Sequence, residues 1–114
     1  MKRFPSLKKN HEFQEVYRTG KSCANRCLVM YVKHNEGPGR RLGISVSKKV
    51  GNSVVRHRLA RLIRESFRLN QYMLEDGLSI VVVARVGAKE SDYKTVEGAF
   101  VHLCGLHNIL KESK

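Results

Sequence analysis

With 114 residues, 41% of them hydrophobic and 28% charged, the chain has the composition of a folded protein and the length of one domain, 1–114, with too little apolar surface for a second core. Its 22 Lys and Arg against 10 Asp and Glu leave a formal charge of +12, a self-repulsion that a bound polyanion relieves, and nucleic acid is the expected polyanion. No run approaches the ~18–20 apolar residues that cross a bilayer. Met1-Lys2-Arg3-Phe4-Pro5 leads into charged residues instead of an apolar signal segment, so no membrane role and a cytoplasmic location are expected.

In chain order, Asn10 is placed to cap a short helix running to Tyr17 or Arg18, with Glu12 in the first turn, Gly20 at the end, and Phe13, Val16 and Tyr17 on its apolar face. Lys21 to His34 alternates as strand, either two short strands or one bent one. Asn35-Glu36-Gly37-Pro38-Gly39 is turn chemistry, so a strand from Arg41 to Ser47 is expected to return antiparallel beside the previous one. Leu42, Ile44 and Val46 form its apolar face. Gly43, Ser45 and Ser47 form the other, which reads as too bare to pack a helix tightly.

Asn52 or Ser53 then caps a long helix to about Asn70. Asp76-Gly77 turns into Leu78–Ala84, a β-branched run of the kind buried on both faces of a sheet, hence a central strand. A last helix is expected from Ser91 or Asp92 to about Leu110, with Gly98 and Gly105 weakening it. The sum is α-β-β-β-α-β-α, an α+β two-layer α/β sandwich whose long helix crosses between two parallel strands.

Cys23, Cys27 and Cys104 are odd in number and are expected as reduced thiols. With His102 and His107 off a common helical face, no tetrahedral metal set is expected. The carboxylates are scattered, and none pairs with His at a spacing suited to general acid–base work, so no catalytic residue is expected.

The strongest signal lies between Lys48 and Arg68. At 100° per residue, Val55, Leu59, Leu62, Ile63 and Ser66 fall on one side of the long helix; His57, Arg61, Arg64 and Arg68 fall within about 60° of one another on the opposite side, with Arg56 and Arg58 on the shoulders. An ordinary solvated face mixes both signs at i,i+4. This one stacks like charges with Glu65 as its lone acid, and guanidiniums suit multidentate phosphate contacts. Lys48, Lys49, Asn52, Arg56, His57, Arg58, Arg61, Arg64 and Arg68 are therefore the candidate anchor for structured RNA. A second candidate surface joins Phe13, Tyr17, Tyr31 and Lys33 with Ser45 and Ser47, where aromatic rings beside a cation over an open sheet face could stack the bases of a single strand.

Leu7-Lys8-Lys9-Asn10 with Phe13 and Tyr17, Ser22-Cys23-Ala24-Asn25-Arg26, the run from Arg41 to Asn52, and Arg56-His57-Arg58-Leu59-Ala60-Arg61-Leu62-Ile63-Arg64-Glu65 together resemble the protein subunit of bacterial ribonuclease P. The match spans nearly the whole chain. Its strand and Arg-rich helix are the specific part, while the C-terminal third matches in pattern alone. The resemblance implies a left-handed βαβ crossover, an exception to the usual hand, in a topology also found in ribosomal proteins. It further implies a non-catalytic subunit of an endoribonuclease. In that family the RNA subunit removes the 5′ leader of precursor tRNA with Mg2+ held chiefly by RNA, and the protein binds the leader in a cleft and the catalytic RNA through the Arg-rich helix. The family's R-N-R-x-K-R pattern falls on Arg56, His57, Arg58, Ala60 and Arg61, with His57 in place of Asn and Ala60 in place of Lys. A ribosomal or general RNA-chaperone protein is the alternative; a protein-only nuclease lacks the acids it would need.

Overall fold

The computed structural model describes Leu7 and residues 9–111. Lys8 of the first resembling segment, and Met1-Lys2-Arg3-Phe4-Pro5, lie outside the described residues. The elements are helix α1 (Asn10–Thr19), strands β1 (Lys21–Ala24), β2 (Leu28–His34) and β3 (Arg40–Ser45), helix α2 (Ser53–Asn70), strand β4 (Leu78–Ala84) and helix α3 (Tyr93–Leu106), with single 3-10 turns at Gln71–Met73 and Val86–Ala88. The expected order of elements is present, and the Lys21–His34 segment resolves into two strands.

The sheet order is β1-β2-β4-β3, with β4 antiparallel to β2 and parallel to β3. β3 therefore runs opposite to β2, as expected, but it is not beside it. β4 takes the place between them because its side chains are buried on both faces, five of seven consecutively, and only a central position covers both. The turn chemistry at 35–39 serves a longer step: the chain wraps the start of β4, with Asn35 N–H donating to Gly77 C=O at 2.7 Å and Gly77 N–H donating to Gly39 C=O at 2.8 Å. α2 then crosses from β3 to its parallel neighbour.

One sheet face, from Leu28, Met30 and Val32 through Ile80 and Val82 to Leu42, packs against Leu59, Ile63 and Phe67 of α2 and Val96, Phe100 and Leu103 of α3. Each such side chain taken out of water contributes about 1.5–3 kcal/mol, and Phe67 meets Phe100 edge-on with centroids 6.4 Å apart. The Asn52 cap forms as expected, its Oδ1 accepting from Val55 N–H at 3.0 Å.

Three local expectations are corrected. The residue before α1 is Lys9, not Asn10; its N–H donates to the Glu12 carboxylate at 3.1 Å, so the cap is supplied from inside the helix. β3 spans Arg40–Ser45, leaving Val46 and Ser47 beyond its end. α3 stops at Leu106, because Asn108 adopts a left-handed φ of 57°, and Leu110 turns back to pair with Leu74.

The second sheet face is not bare of helix. α1 lies on it, and Val16 joins Leu7 and Val81 in a smaller core flanked by Phe13, Tyr17, Tyr31 and Val83. Gly43 is the reason the fit is close. A Cβ there would lie 2.8 Å from the Phe13 ring, so the missing side chain is the socket into which the phenyl settles.

Candidate RNA-binding surfaces

α2 presents its outer face as the sequence periodicity demands. Its buried residues are Leu59, Ile63, Ser66 and Phe67, while His57, Arg61, Arg64 and Arg68 are exposed on the opposite side. Lys48, Lys49 and Asn52 are exposed in the approach to the helix. Arg68 pairs with Glu65, its Nε donating to Oε1 at 2.9 Å; that guanidinium holds the Glu65 carboxyl below its ordinary range and is itself raised. Among the described residues this is the one ion pair on α2, so Arg61 and Arg64 keep uncompensated charge.

The two shoulder arginines differ from the stripe. Arg58 is half-buried and donates to the Ser91 carbonyl at 2.8 Å and the Lys89 carbonyl at 2.7 Å, which ties α2 to the segment after β4. Arg56 is half-buried too, its Nε enclosed without a hydrogen-bond partner among the described residues. Of the expected anchor, seven side chains face solvent, and these two are partly drawn into the fold. Val54, 74% exposed, lines a shallow concavity with His57, Arg58 and Arg61, which places an apolar contact within the cationic stripe.

The α1 face of the sheet is organised in rows set by strand register. The first row is Lys33, Ser79 and Arg41; the second Tyr31, Val81 and Gly43; the third Val29, Val83 and Ser45. In the first row Lys33 donates to Glu15 at 2.7 Å and Arg41 pairs with Glu12, so two carboxylates one turn apart on α1 latch it to the sheet. Asn35 joins them, donating to the buried Ser79 hydroxyl at 2.6 Å. Lys33 holds the Glu15 carboxyl below its ordinary range by hydrogen bond and charge.

The second and third rows carry the aromatic cleft. Tyr17 and Tyr31 meet edge-on with centroids 4.8 Å apart, Phe13 stands 6.4 Å from Tyr17, and Tyr17 shares a hydrogen bond with Ser45. Burial raises the Tyr17 hydroxyl above its ordinary value. All three rings are half-buried, leaving part of each accessible beside the half-open floor of Val29, Val83 and Ser45. Phe13, Tyr17, Tyr31 and Ser45 thus come together as expected. Lys33 is separated from them by its ion pair, and Ser47 is exposed past the strand end. The latch of Glu12, Glu15 and Arg41 escaped sequence reading, although alternation along Arg41-Gly43-Ser45 signals which face Arg41 takes.

Among the described residues, no helix is long and apolar enough to cross a membrane, and no three His, Cys, Asp or Glu side chains converge as a metal set. The Cys104 thiol is pushed up to about 12 by burial.

Residues 1–107 match the family model for ribonuclease P. The ribonuclease P protein component of Lachnoclostridium phytofermentans is 57% identical over 109 residues, covering 96% of this chain and 94% of that protein. The chain belongs to the ribonuclease P protein family. The same component from Alkaliphilus metalliredigens is 50% identical over 85% of this chain and 87% of its own length. Among solved structures, the ribonuclease P protein of Staphylococcus aureus superposes with a TM-score of 0.86 at 36% identity, covering 96% of this chain and all of that one. That of Thermotoga maritima gives 0.79 at 31% identity over 86% and 93%. Within the ribonuclease P protein family fold, the four-stranded sheet puts the arginine stripe on one outer face and the aromatic cleft on the other.

Proposed function

We propose that this chain is the protein cofactor of a ribonuclease P ribonucleoprotein, an endoribonuclease whose RNA subunit does the cutting. The outer face of α2 anchors the catalytic RNA, and the cleft between α1 and the sheet receives the single-stranded 5′ leader of precursor tRNA. The protein acts by positioning: it brings leader and catalytic RNA together and so lowers the concentration of substrate and Mg2+ required, the metal being held chiefly by RNA phosphates. It works in the cytoplasm, with no membrane and no small-molecule substrate.

The observation that carries this is the contrast between the two faces. On the cleft face Lys33 and Arg41 are neutralised by carboxylates of α1, whereas Arg61 and Arg64 on α2 have no ion-pair partner among the described residues. Unpaired guanidiniums in a row suit the phosphates of a folded RNA; half-open aromatic rings over a small-residue floor suit unpaired bases.

Reconstitution tests it. The protein alone leaves precursor tRNA intact, and the protein with a bacterial catalytic RNA processes it at low Mg2+. Tyr31→Ala weakens binding of leader-bearing substrate while sparing mature tRNA. Cleavage by nuclease-free protein alone overturns the cofactor role, and capture of ribosomal RNA from extract in place of the catalytic RNA favours a ribosomal or chaperone protein.

A further inference from the structure

The outer stripe of α2 is followed by an aromatic ring. Arg64 and Arg68 stand four residues apart on one face, and the next position in that series is Tyr72, carried on the 3-10 turn Gln71–Met73 directly after the helix. Asn70 and Gln71 keep right-handed helical dihedrals, φ −113° with ψ −2° and φ −60° with ψ −27°, so the series is not turned aside. Tyr72 therefore lies about 12 Å along the axis beyond Arg64.

Exposed apolar residues are ordinary when scattered; this one is not scattered. Tyr72 is 69% exposed, and Leu69, three positions earlier, is 45% exposed. Among the described residues no other aromatic ring is as open. Tyr72 pairs with no second ring, and its hydroxyl has no hydrogen-bond partner among them. Its backbone is nonetheless firmly held. Leu74 is fully buried and pairs with Leu110, Lys111 N–H donates to Met73 C=O at 2.7 Å, and Arg40 Nη2 donates to Leu74 C=O at 2.6 Å. A ring kept in water on a rigid support loses little freedom on binding.

The local charge says what kind of group suits it. Arg68 is paired with Glu65, the carbonyl end of α2 carries partial negative charge, and exposed Glu75 and Asp76 follow. Phosphates are disfavoured here, whereas every base offers a π-face that stacks regardless of sequence. We propose that Tyr72 is a base-stacking residue of the RNA anchor: an unpaired nucleotide of the catalytic RNA, splayed out beside the phosphates held by Arg61 and Arg64, lies on the Tyr72 ring. This rests on the reading of α2 as that anchor, and the test separates the two.

The chain contains no tryptophan, so Tyr72→Trp introduces a single fluorophore that can itself stack. A bacterial catalytic RNA quenches its emission on binding, and a long, fully paired RNA duplex does not. In filter binding, Tyr72→Ala lowers affinity for the catalytic RNA by at least about fivefold, the low end of what stacking one base is worth, and by the same factor at 50 and 200 mM salt. Tyr72→Phe keeps the wild-type affinity, because the ring and not the hydroxyl makes the contact. Unquenched emission on bound catalytic RNA, or unchanged affinity for Tyr72→Ala, overturns the role of Tyr72; so does an equal loss for Tyr72→Phe, which would mark a hydroxyl–phosphate contact. In each of these cases a reduced salt slope for Arg61→Ala/Arg64→Ala leaves the anchor standing. An unchanged slope for that double variant brings down the anchor reading itself.

Discussion

Arg58 and the pair Arg61 and Arg64 lie within two turns of one helix, yet they should fail in opposite ways. Arg61 and Arg64 are exposed and without acid partners among the described residues. If each meets one phosphate of structured RNA, each contributes about 0.9 to the slope of log affinity against log salt, so the double variant Arg61→Ala/Arg64→Ala lowers the slope by about 1.8. Between 50 and 200 mM salt that is an affinity loss on the order of tenfold smaller than for the wild type. The fold has little at stake in either side chain, and thermal stability should move by less than about 0.5 kcal/mol. Arg58→Ala instead deletes two charge-assisted hydrogen bonds, at 2.8 and 2.7 Å, to the Ser91 and Lys89 carbonyls. The half-exposed guanidinium argues for the lower end of the usual range, about 2 kcal/mol in all, or roughly 8 °C in Tm for a domain of this size. The slope should change little. Filter binding of the catalytic RNA across salt, with melts of the free protein, reads both quantities. A slope loss for Arg58→Ala matching that of Arg61→Ala, or an unchanged slope for the double variant, would refute this division of labour.

Three further outcomes follow from local geometry. Gly98 lies exposed in the interior of α3 with nothing within 4 Å of an added Cβ, so Gly98→Ala should raise stability by about 0.5–1 kcal/mol in a thermal melt. The Glu15 carboxyl is held below its ordinary value of 4.5 by Lys33; a depressed folded value means that its contribution is complete above the unfolded value and is lost as pH falls through the folded one. In an NMR titration of Lys33→Gln, Glu15 should therefore titrate higher, and the wild type's stability advantage over the variant should be complete at neutral pH and shrink as pH falls below about 5. Cys104, fully enclosed and with its thiol pushed up to about 12, should resist thiol reagents at pH 8 until the protein unfolds, while half-exposed Cys23 reacts first.

How much of this the sequence discloses depends on the range of the interaction. The core face and cationic stripe of α2 follow from a period of 3.6, and the observed burial of Leu59, Ile63 and Ser66 opposite Arg61 and Arg64 repeats that arithmetic. The double burial of β4 is likewise written in Leu78–Ala84. Which strand sits beside which is a different kind of information. Nothing in residues 35–39 distinguishes a hairpin from a loop that steps over β4, because the deciding bonds join Asn35 and Gly39 to the distant Gly77. Lys33 was assignable to a face by alternation, but its partner Glu15 arrives on another element. Arg58 is the least legible: its acceptors are backbone carbonyls, which carry no signature in the side-chain alphabet. Gly43 misleads for a related reason, since a bare position reads as an absence until Phe13 is seen to occupy it.

The distribution of charge is what joins fold to function. Positive charge on the cleft side is cancelled where α1 docks, at Lys33 and Arg41. A cleft that kept Lys33 free would bind any polyanion that reached it and would lose the latch that fixes α1. With the latch closed, the rings are held over the sheet, and in the function proposed above an unpaired strand is selected there by base stacking more than by charge. On α2 the reverse holds: no shape is needed there beyond a straight row of donors, because a structured RNA supplies its own. Salt should therefore act mainly on anchoring and weakly on the preference for a leader. Adding salt to the holoenzyme should reduce its affinity for catalytic RNA far more steeply than it erodes discrimination between precursor and mature tRNA, and parallel decay of the two would mean that cleft and helix read the same phosphates.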